Sequence, residues 1–276
     1  MPIGIIVRLT LREAARRKVL WGLVILTAIF LALYTLGLNF VHSGLVRSSQ
    51  LPRFVTLRDI YNFWLMFALY AGNFLIVMMA VLTSVDTVAG EIGSGTIQSI
   101  AVKPMARRDI LLGKWLGFAI MLGAYAMALV GGLFVITALV TGYVPPNPLT
   151  GLALMILEAL VLLSVSLLGG TRLSTLATGV LGFGVYGLAF VGGWIEQVGS
   201  FLKNDAATTI GRIASLVMPS EALWRRASAE MSQGLSQIIS PFTGFAAPDP
   251  GVVPYAVFFA AGVLLLAVVS FQRRDL

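Results

Sequence analysis

Cysteine is absent from the 276 residues, which excludes disulfides, thiolate metal sites and cysteine nucleophiles and removes any redox clue to compartment. Histidine occurs once, as His42, in a loop between apolar runs, where it reads as solvated. There is no G-x-S-x-G elbow, no H-E-x-x-H helix and no cluster of histidines with carboxylates, so the chain is not expected to be an enzyme. A P-loop is missing as well: Gly113-Lys114 is followed by Trp115 and has Arg108 where the first glycine should stand, so nothing cradles a phosphate. Charge is scarce, at 11% of residues, against 58% hydrophobic residues. With a mean hydropathy of +0.93, the chain is an integral membrane protein. The net charge of +7 implies no nucleic acid, because the basic residues sit mainly at span ends, where orientation and anionic headgroups account for them.

What is present is hydrophobic length. Six runs are each long enough to cross a core of about 30 Å at about 1.5 Å per residue: 19–40, 60–85, 110–140, 149–170, 173–195 and 252–271. The first is too long for the apolar core of a signal peptide, and no cleavage site follows it. Only Thr171 and Arg172 separate the fourth from the fifth, which predicts a tight helical hairpin. Ahead of the first run, residues 1–18 form an amphipathic segment. Ile3, Ile5, Ile6, Val7, Leu9 and Leu11 are opposed by Arg8, Arg12, Arg16, Arg17 and Lys18; Arg8, Arg12 and Arg16 recur every fourth residue on one face, and Glu13 is placed to pair with Arg17. This predicts an interfacial helix. Twelve of the 19 Lys and Arg lie in that tail, in the region from Asp86 to Lys114, at Arg172 and at the C-terminus. Most of the others fall in the long 196–251 loop, which counts for little in orientation. The excess predicts that both termini are cytoplasmic. The fold expected is therefore all-α, with six transmembrane helices in a single transmembrane domain.

One polar stretch interrupts the apolar sequence, Val88 to Trp115. Gly90, Gly93 and Gly95 allow a sharp turn on leaving the second span, and Thr96 to Val102 can form about two helical turns with Ile97, Ile100 and Ala101 on one face. Pro104 stops that run. Arg107, Arg108 and Lys114 follow, with Asp109 among them. Glu91 has little structural need beside the glycines unless it meets a base or caps a helix. For Arg107 and Arg108, lipid headgroups and a protein partner are equally good readings.

The order of acid, glycine, Gly-Thr, short apolar helix, Pro, Arg and Gly-Lys resembles the signature of type-2 ABC transporter permeases, at Glu91, Gly95, Thr96, Pro104, Arg107, Gly113 and Lys114. The resemblance implies that 86–109 is a cytoplasmic coupling region whose short helix docks on a separate ABC ATPase subunit. Ile97, Ile100 and Arg108 would join these residues at the contact, and ATP and magnesium would belong to the partner alone. It implies that residues 1–18 are an elbow helix, and that a second permease copy, identical or a close paralogue, completes the transporter. The chain would then be a multi-pass permease of a prokaryotic cell membrane, exporting more readily than importing. Two alternatives remain open: an energy-transmitting subunit acting on outer partners through the long loop, and a membrane scaffold or receptor that transports nothing.

Glu158 is the clear acid within a span. Ionisable groups at such depth face a bundle interior or a water-filled path, which makes Glu158 a candidate for the pathway, or else a hydrogen-bonding partner of another helix. Small residues four apart, such as Ala124, Ala128 and Gly132, allow close helix approach. The fifth span is rich in glycine, which suits tight packing within one bundle. In the 196–251 loop, Ser220 as a cap and Glu221 in a first turn predict a helix continuing to Met231. Its mixed composition predicts that it lies on the outer surface of the membrane.

Overall fold

The computed structural model describes residues 2–48, 55–93, 106–232 and 247–273. Among them are nine helices and no strand: α1 (Pro2–Arg16), α2 (Lys18–Ser48), α3 (Leu57–Gly93), α4 (Arg107–Thr141), α5 (Pro148–Gly170), α6 (Thr175–Phe201), α7 (Asp205–Val217), α8 (Ser220–Met231) and α9 (Val252–Gln272). Six of them, α2 to α6 and α9, are long and apolar enough to cross a membrane. Large side chains such as Leu36, Phe40, Leu139 and Phe258 are exposed on them, as helices whose outer faces meet hydrocarbon require.

Burial sorts the six into centre and flank. In α3 and α5, 67% of the span window is buried, against 17% in α2 and 11% in α9. Between apolar helices in lipid, packing and polar contacts hold the bundle together. The flank is fixed to the centre by hydroxyl pairs: Thr27 Oγ1 with Tyr125 OH at 2.6 Å and Tyr34 OH with Thr137 Oγ1 at 2.7 Å, both between α2 and α4. Trp115 Nε1 donates to Ser164 Oγ at 3.0 Å, joining α4 to α5.

Helix α1 lies against α4. Ile6, Thr10 and Ala14 are its buried face, and Arg8, Arg12 and Arg16 are exposed. A Cβ at Gly113 would stand 2.7 Å from Ile6 Cβ, and one at Gly117 would stand 2.8 Å from Thr10 Cβ. These two glycines are the seat on which α1 rests. Arg17 meets Glu13 at 2.5 Å, as the i, i+4 spacing predicts.

Several helix ends differ from the expected boundaries; α2, for one, runs past Phe40 to Ser48. Helix α3 continues past Val85 to Gly93, so Gly90 and Gly93 are helical rather than the turn expected there; glycine weakens a helix interior by about 1 kcal/mol but is tolerated near an end. Helix α6 starts at Thr175 instead of Leu173, because Ser174 occupies the N-cap and its hydroxyl accepts from the Ala177 amide. His42 is not merely solvated: its Nδ1 lies 2.8 Å from Tyr61 OH, tying α2 to α3.

The largest departure lies between α6 and α9. The helix predicted to rest on the membrane surface, α8, is buried along most of its length, including Glu221, Leu223, Trp224 and Arg225. It has no side-chain cap; Ser220 is its first helical residue and Pro219 precedes it. Preceding it is α7, a helix not anticipated from the sequence. This one exposes an apolar stripe of Ile210, Ile213, Leu216 and Val217. Glycines explain the exchange. Side chains at Gly192 and Gly199 of α6 would collide with Ala214 and Ala207 of α7, and one at Gly193 would collide with Glu221 of α8. The glycine-rich end of α6 thus receives both helices: α7 lies along α6, and α8 fills the space between α5 and α6. Asn62 Nδ2 of α3 closes the arrangement by donating to Tyr143 OH at 2.6 Å and to the Met231 carbonyl at 3.0 Å.

Candidate functional site: a basic end and an acid-backed cleft

The residues singled out in the sequence fall into two groups far apart in the fold. At the basic end, Arg107 and Arg108 are the first residues of α4. Arg107 Nη1 donates to the Gln272 carbonyl at 3.4 Å, linking α4 to the end of α9. Arg108 projects outward, with Asp109 3.6 Å away. Lys114 is buried with only 4% exposure, two turns into α4 and beside the seat of α1. Thr171 Oγ1 pairs with Ser270 Oγ at 2.8 Å, and Arg172 Nε donates to the same hydroxyl at 2.9 Å. The α5–α6 turn and the end of α9 are therefore tied together at this end. Glu91 lies in the last turn of α3. Gly95, Thr96, Ile97, Ile100 and Pro104 lie outside the described residues.

The second group surrounds a cleft with a volume of about 680 Å³, whose walls come from α2, α3, α6 and α8. Leu26, Phe30, Phe74 and Phe183 form an apolar part, and Tyr70, Tyr186, Phe190 and Trp224 an aromatic one. Tyr70 packs edge-on to Trp224 with ring centres 5.6 Å apart, and its ring centre lies 6.4 Å from that of Phe190. Two polar residues, Asn73 and Glu221, reach the cleft wall. Such a mixture, apolar with few polar groups, is the usual make-up of a ligand site.

Glu158 stands directly behind Asn73. Asn73 Nδ2 donates to Glu158 Oε1 at 3.2 Å, and both residues are almost completely buried. The remaining acceptors, Asn73 Oδ1 and Glu158 Oε2, have no hydrogen-bond partner among the described residues. Leaving a buried acceptor unpaired costs about 1–3 kcal/mol. Glu158 thus bonds to another helix through Asn73, which is itself a residue of the cleft wall.

Glu221 is the residue that sequence reasoning missed. It is 3% exposed, it interacts electrostatically with Glu158, and both acids act on Tyr186 of α6. Burial pushes its carboxyl up to about 8, with the charge of Arg225 one turn away pulling in the opposite direction. Arg225 itself is paired: its Nη2 donates to Glu196 Oε2 of α6 at 2.6 Å. The available signal was in α8 itself, where Arg226 and Glu230 already pair at 2.5 Å on the less buried side. That left Glu221 and Arg225 on the stripe of Ser228 and Ser232, pointing inward.

The model of the ABC-2 family transporter protein matches residues 5–276, nearly the whole chain. No curated protein matches it.

Proposed function

Since the chain belongs to the ABC-2 transporter family and is a membrane permease, we propose that it forms half of a translocation pathway driven by a separate ABC ATPase. A second copy, or a close paralogue, supplies the other half. The acid-backed cleft is the part of the pathway contributed by this chain. One observation supports that assignment above the rest: Asn73 and Glu158 are buried, with acceptors unpaired among the described residues, immediately beside a cleft walled by three spans and α8. Inside a membrane, polar groups are retained where they face a path or a cavity.

The basic end is the cytoplasmic one in this reading, supported by the excess of Lys and Arg there. Thr96 and Pro104 shape a coupling element, Ile97 and Ile100 give it an apolar face, and Glu91, Arg107 and Arg108 are its charged contacts. ATP and magnesium bind to the partner subunit, whose closure pushes this element. The push reaches the spans through the junctions at this end: α1 seated on Gly113 and Gly117, Arg107 on the end of α9, and Arg172 on Ser270. Movement of these junctions shifts the cleft between two states, and the ligand's preference for one of them sets selectivity. The direction is export, into or across the outer leaflet of a prokaryotic cell membrane.

The test is co-purification from the native host, comparing the tagged wild type with the double variant Thr96→Asp, Arg107→Glu. An ABC ATPase is expected with the wild type and is expected to be lost from the variant while its size-exclusion profile is unchanged. If no ATPase accompanies either protein although it is present in the lysate, the coupling reading fails and a scaffold role takes its place.

A second reading draws on a different feature. A recess of about 730 Å³ opens between α6, α7, α8 and the start of α9, its lining including the charged residues Glu196, Arg212, Arg225 and Asp249. This recess favours a version in which the 196–251 segment transmits the energy to an outer partner. Deleting ATPase-driven transport while retaining a partner bound through this segment would support it.

A further inference from the structure

The cleft carries an electrostatic preference that the family assignment does not supply. Its polar groups are acceptors: Glu221 on the wall, Asn73 on the wall, and Glu158 behind Asn73. Asn73 Oδ1 and Glu158 Oε2 are buried and have no hydrogen-bond partner among the described residues. The nearby cation, Arg225, lies one turn along α8 from Glu221 and directs its Nη2 to Glu196 at 2.6 Å. The rest of the wall is apolar, with the rings of Phe190 and Trp224 centred 6.4 and 5.6 Å from that of Tyr70. An anion entering here would meet acceptors and ring faces, both of which repel it. A neutral hydrocarbon would leave the acceptors unsatisfied. A cation finds carboxylates and negative ring faces together, the combination that holds organic ammonium groups. A divalent metal ion fits poorly: it needs about six oxygen ligands, and no group of three His, Cys, Asp or Glu occurs among the described residues.

We propose that the cleft binds an amphipathic organic cation, its charged centre held at Glu221 and the Asn73–Glu158 pair and its apolar body laid against Tyr70, Phe190 and Trp224. This deepens the pathway reading above and rests on it, since it names the class of molecule that the pathway takes. Glu221 is the charged contact, and Asn73 and Glu158 supply the acceptors behind it. Binding of a permanent cation is then linked to ionisation of Glu221. The groups facing Glu221 are Glu158 from α5, Tyr70 from α3, Tyr186 from α6 and Arg225 from its own helix. Because burial holds the Glu221 proton to about pH 8, affinity rises with pH up to that value and then levels.

The experiment uses the purified full-length chain in lipid nanodiscs, with equilibrium dialysis of labelled tetraphenylphosphonium and, separately, tetraphenylborate. The two ions have the same shape and opposite charge. The phosphonium is expected to bind saturably and the borate not to. Glu221→Gln is expected to weaken the phosphonium at least about tenfold, the loss of a charged contact, and to abolish the rise with pH. Glu221→Asp, which keeps the charge, is expected to recover part of the binding, and Glu230→Gln to leave it unchanged. Phe190→Leu, a partly buried ring that can be replaced without emptying the core, is expected to cost a few-fold. Equal binding of the two ions, undiminished binding in a folded Glu221→Gln protein, or no saturable binding of the phosphonium would each overturn the proposal. Dialysis needs no ATPase, so absence of cation binding together with intact ATPase co-purification overturns this inference alone. Cation binding without an ATPase overturns only the coupling reading.

Discussion

At the basic end Arg108 is 65% exposed and lies 3.6 Å from Asp109, whereas at the opposite end Arg225 is 5% exposed and meets Glu196 at 2.6 Å. The first pair sits where water screens it and contributes little. The second is mostly shielded from water, with Glu196 19% exposed, so the fold depends more on its remaining intact. The same contrast holds for the acids. Those of the basic end lie at helix ends, while Glu158 and Glu221 lie inside, against a cleft. Exposed charge can face an exchangeable partner without disturbing the bundle. Buried charge commits the bundle to one geometry and is retained where a ligand gives it a use. In the function proposed above, the two ends take different tasks, docking at one and recognition at the other.

The contrast can be broken most severely at Arg225. Arg225→Ala strands Glu196 and should destabilise the protein by about 3 kcal/mol, read as a fall in the thermal unfolding midpoint in detergent. The matching change Arg108→Ala should stay within about 0.5 kcal/mol; an equal effect of the two would erase the distinction. Next in size is Gly193→Leu. Its side chain would enter the space of Glu221 and should cost about 1–3 kcal/mol through overpacking, with loss of cation binding. Gly113→Leu lifts α1 from α4 at a similar cost and should leave cation binding in place.

The pH dependence sharpens the comparison further. Glu221 is held protonated in the folded state up to about 8, above its ordinary value of 4.5. The folded state therefore binds the proton more tightly than the unfolded chain. The stability this contributes is complete below about 4.5, declines as pH rises, and is lost once pH passes about 8. Thermal unfolding across that range should show the decline in the wild type and a reduced slope in Glu221→Gln. The smallest expected effect is at the α2–α4 contact. Thr27→Val removes one interhelical hydrogen bond and should cost about 0.6 kcal/mol.

How legible the molecule was in its sequence varied along the chain. The membrane class and the number of spans were plain, because about 20 consecutive apolar residues have no other stable environment. The pairing of Glu13 with Arg17 followed from helical spacing alone. The α8 helix could be read, with its start near Pro219 and its end at Met231, yet its location was wrong. Mixed composition suggested a surface, and only the glycines of α6 reveal that the surface is internal. Helix α7 was missed because Asp205 to Val217 is neither long nor apolar enough to register as a span. In the candidate site Glu158 was visible as a lone acid in an apolar run. Glu221, 63 positions further along, was not, since its partner in space is separated from it in sequence by the whole of α6 and α7.

The sequence by itself determined that the chain spans a membrane, roughly where it enters and leaves, and which family signature lies between the second and third spans. These are local properties, fixed by hydropathy over one run of residues and by a short motif. Only the tertiary structure decided that α1 sits on Gly113 and Gly117, that α8 turns inward, and that Asn73, Glu158 and Glu221 meet around one cleft. The physical reason is that lipid offers helices no hydrophobic drive to associate. Which faces meet is then settled by close packing at small residues and by a few buried polar pairs, and both depend on residues brought together from distant parts of the chain.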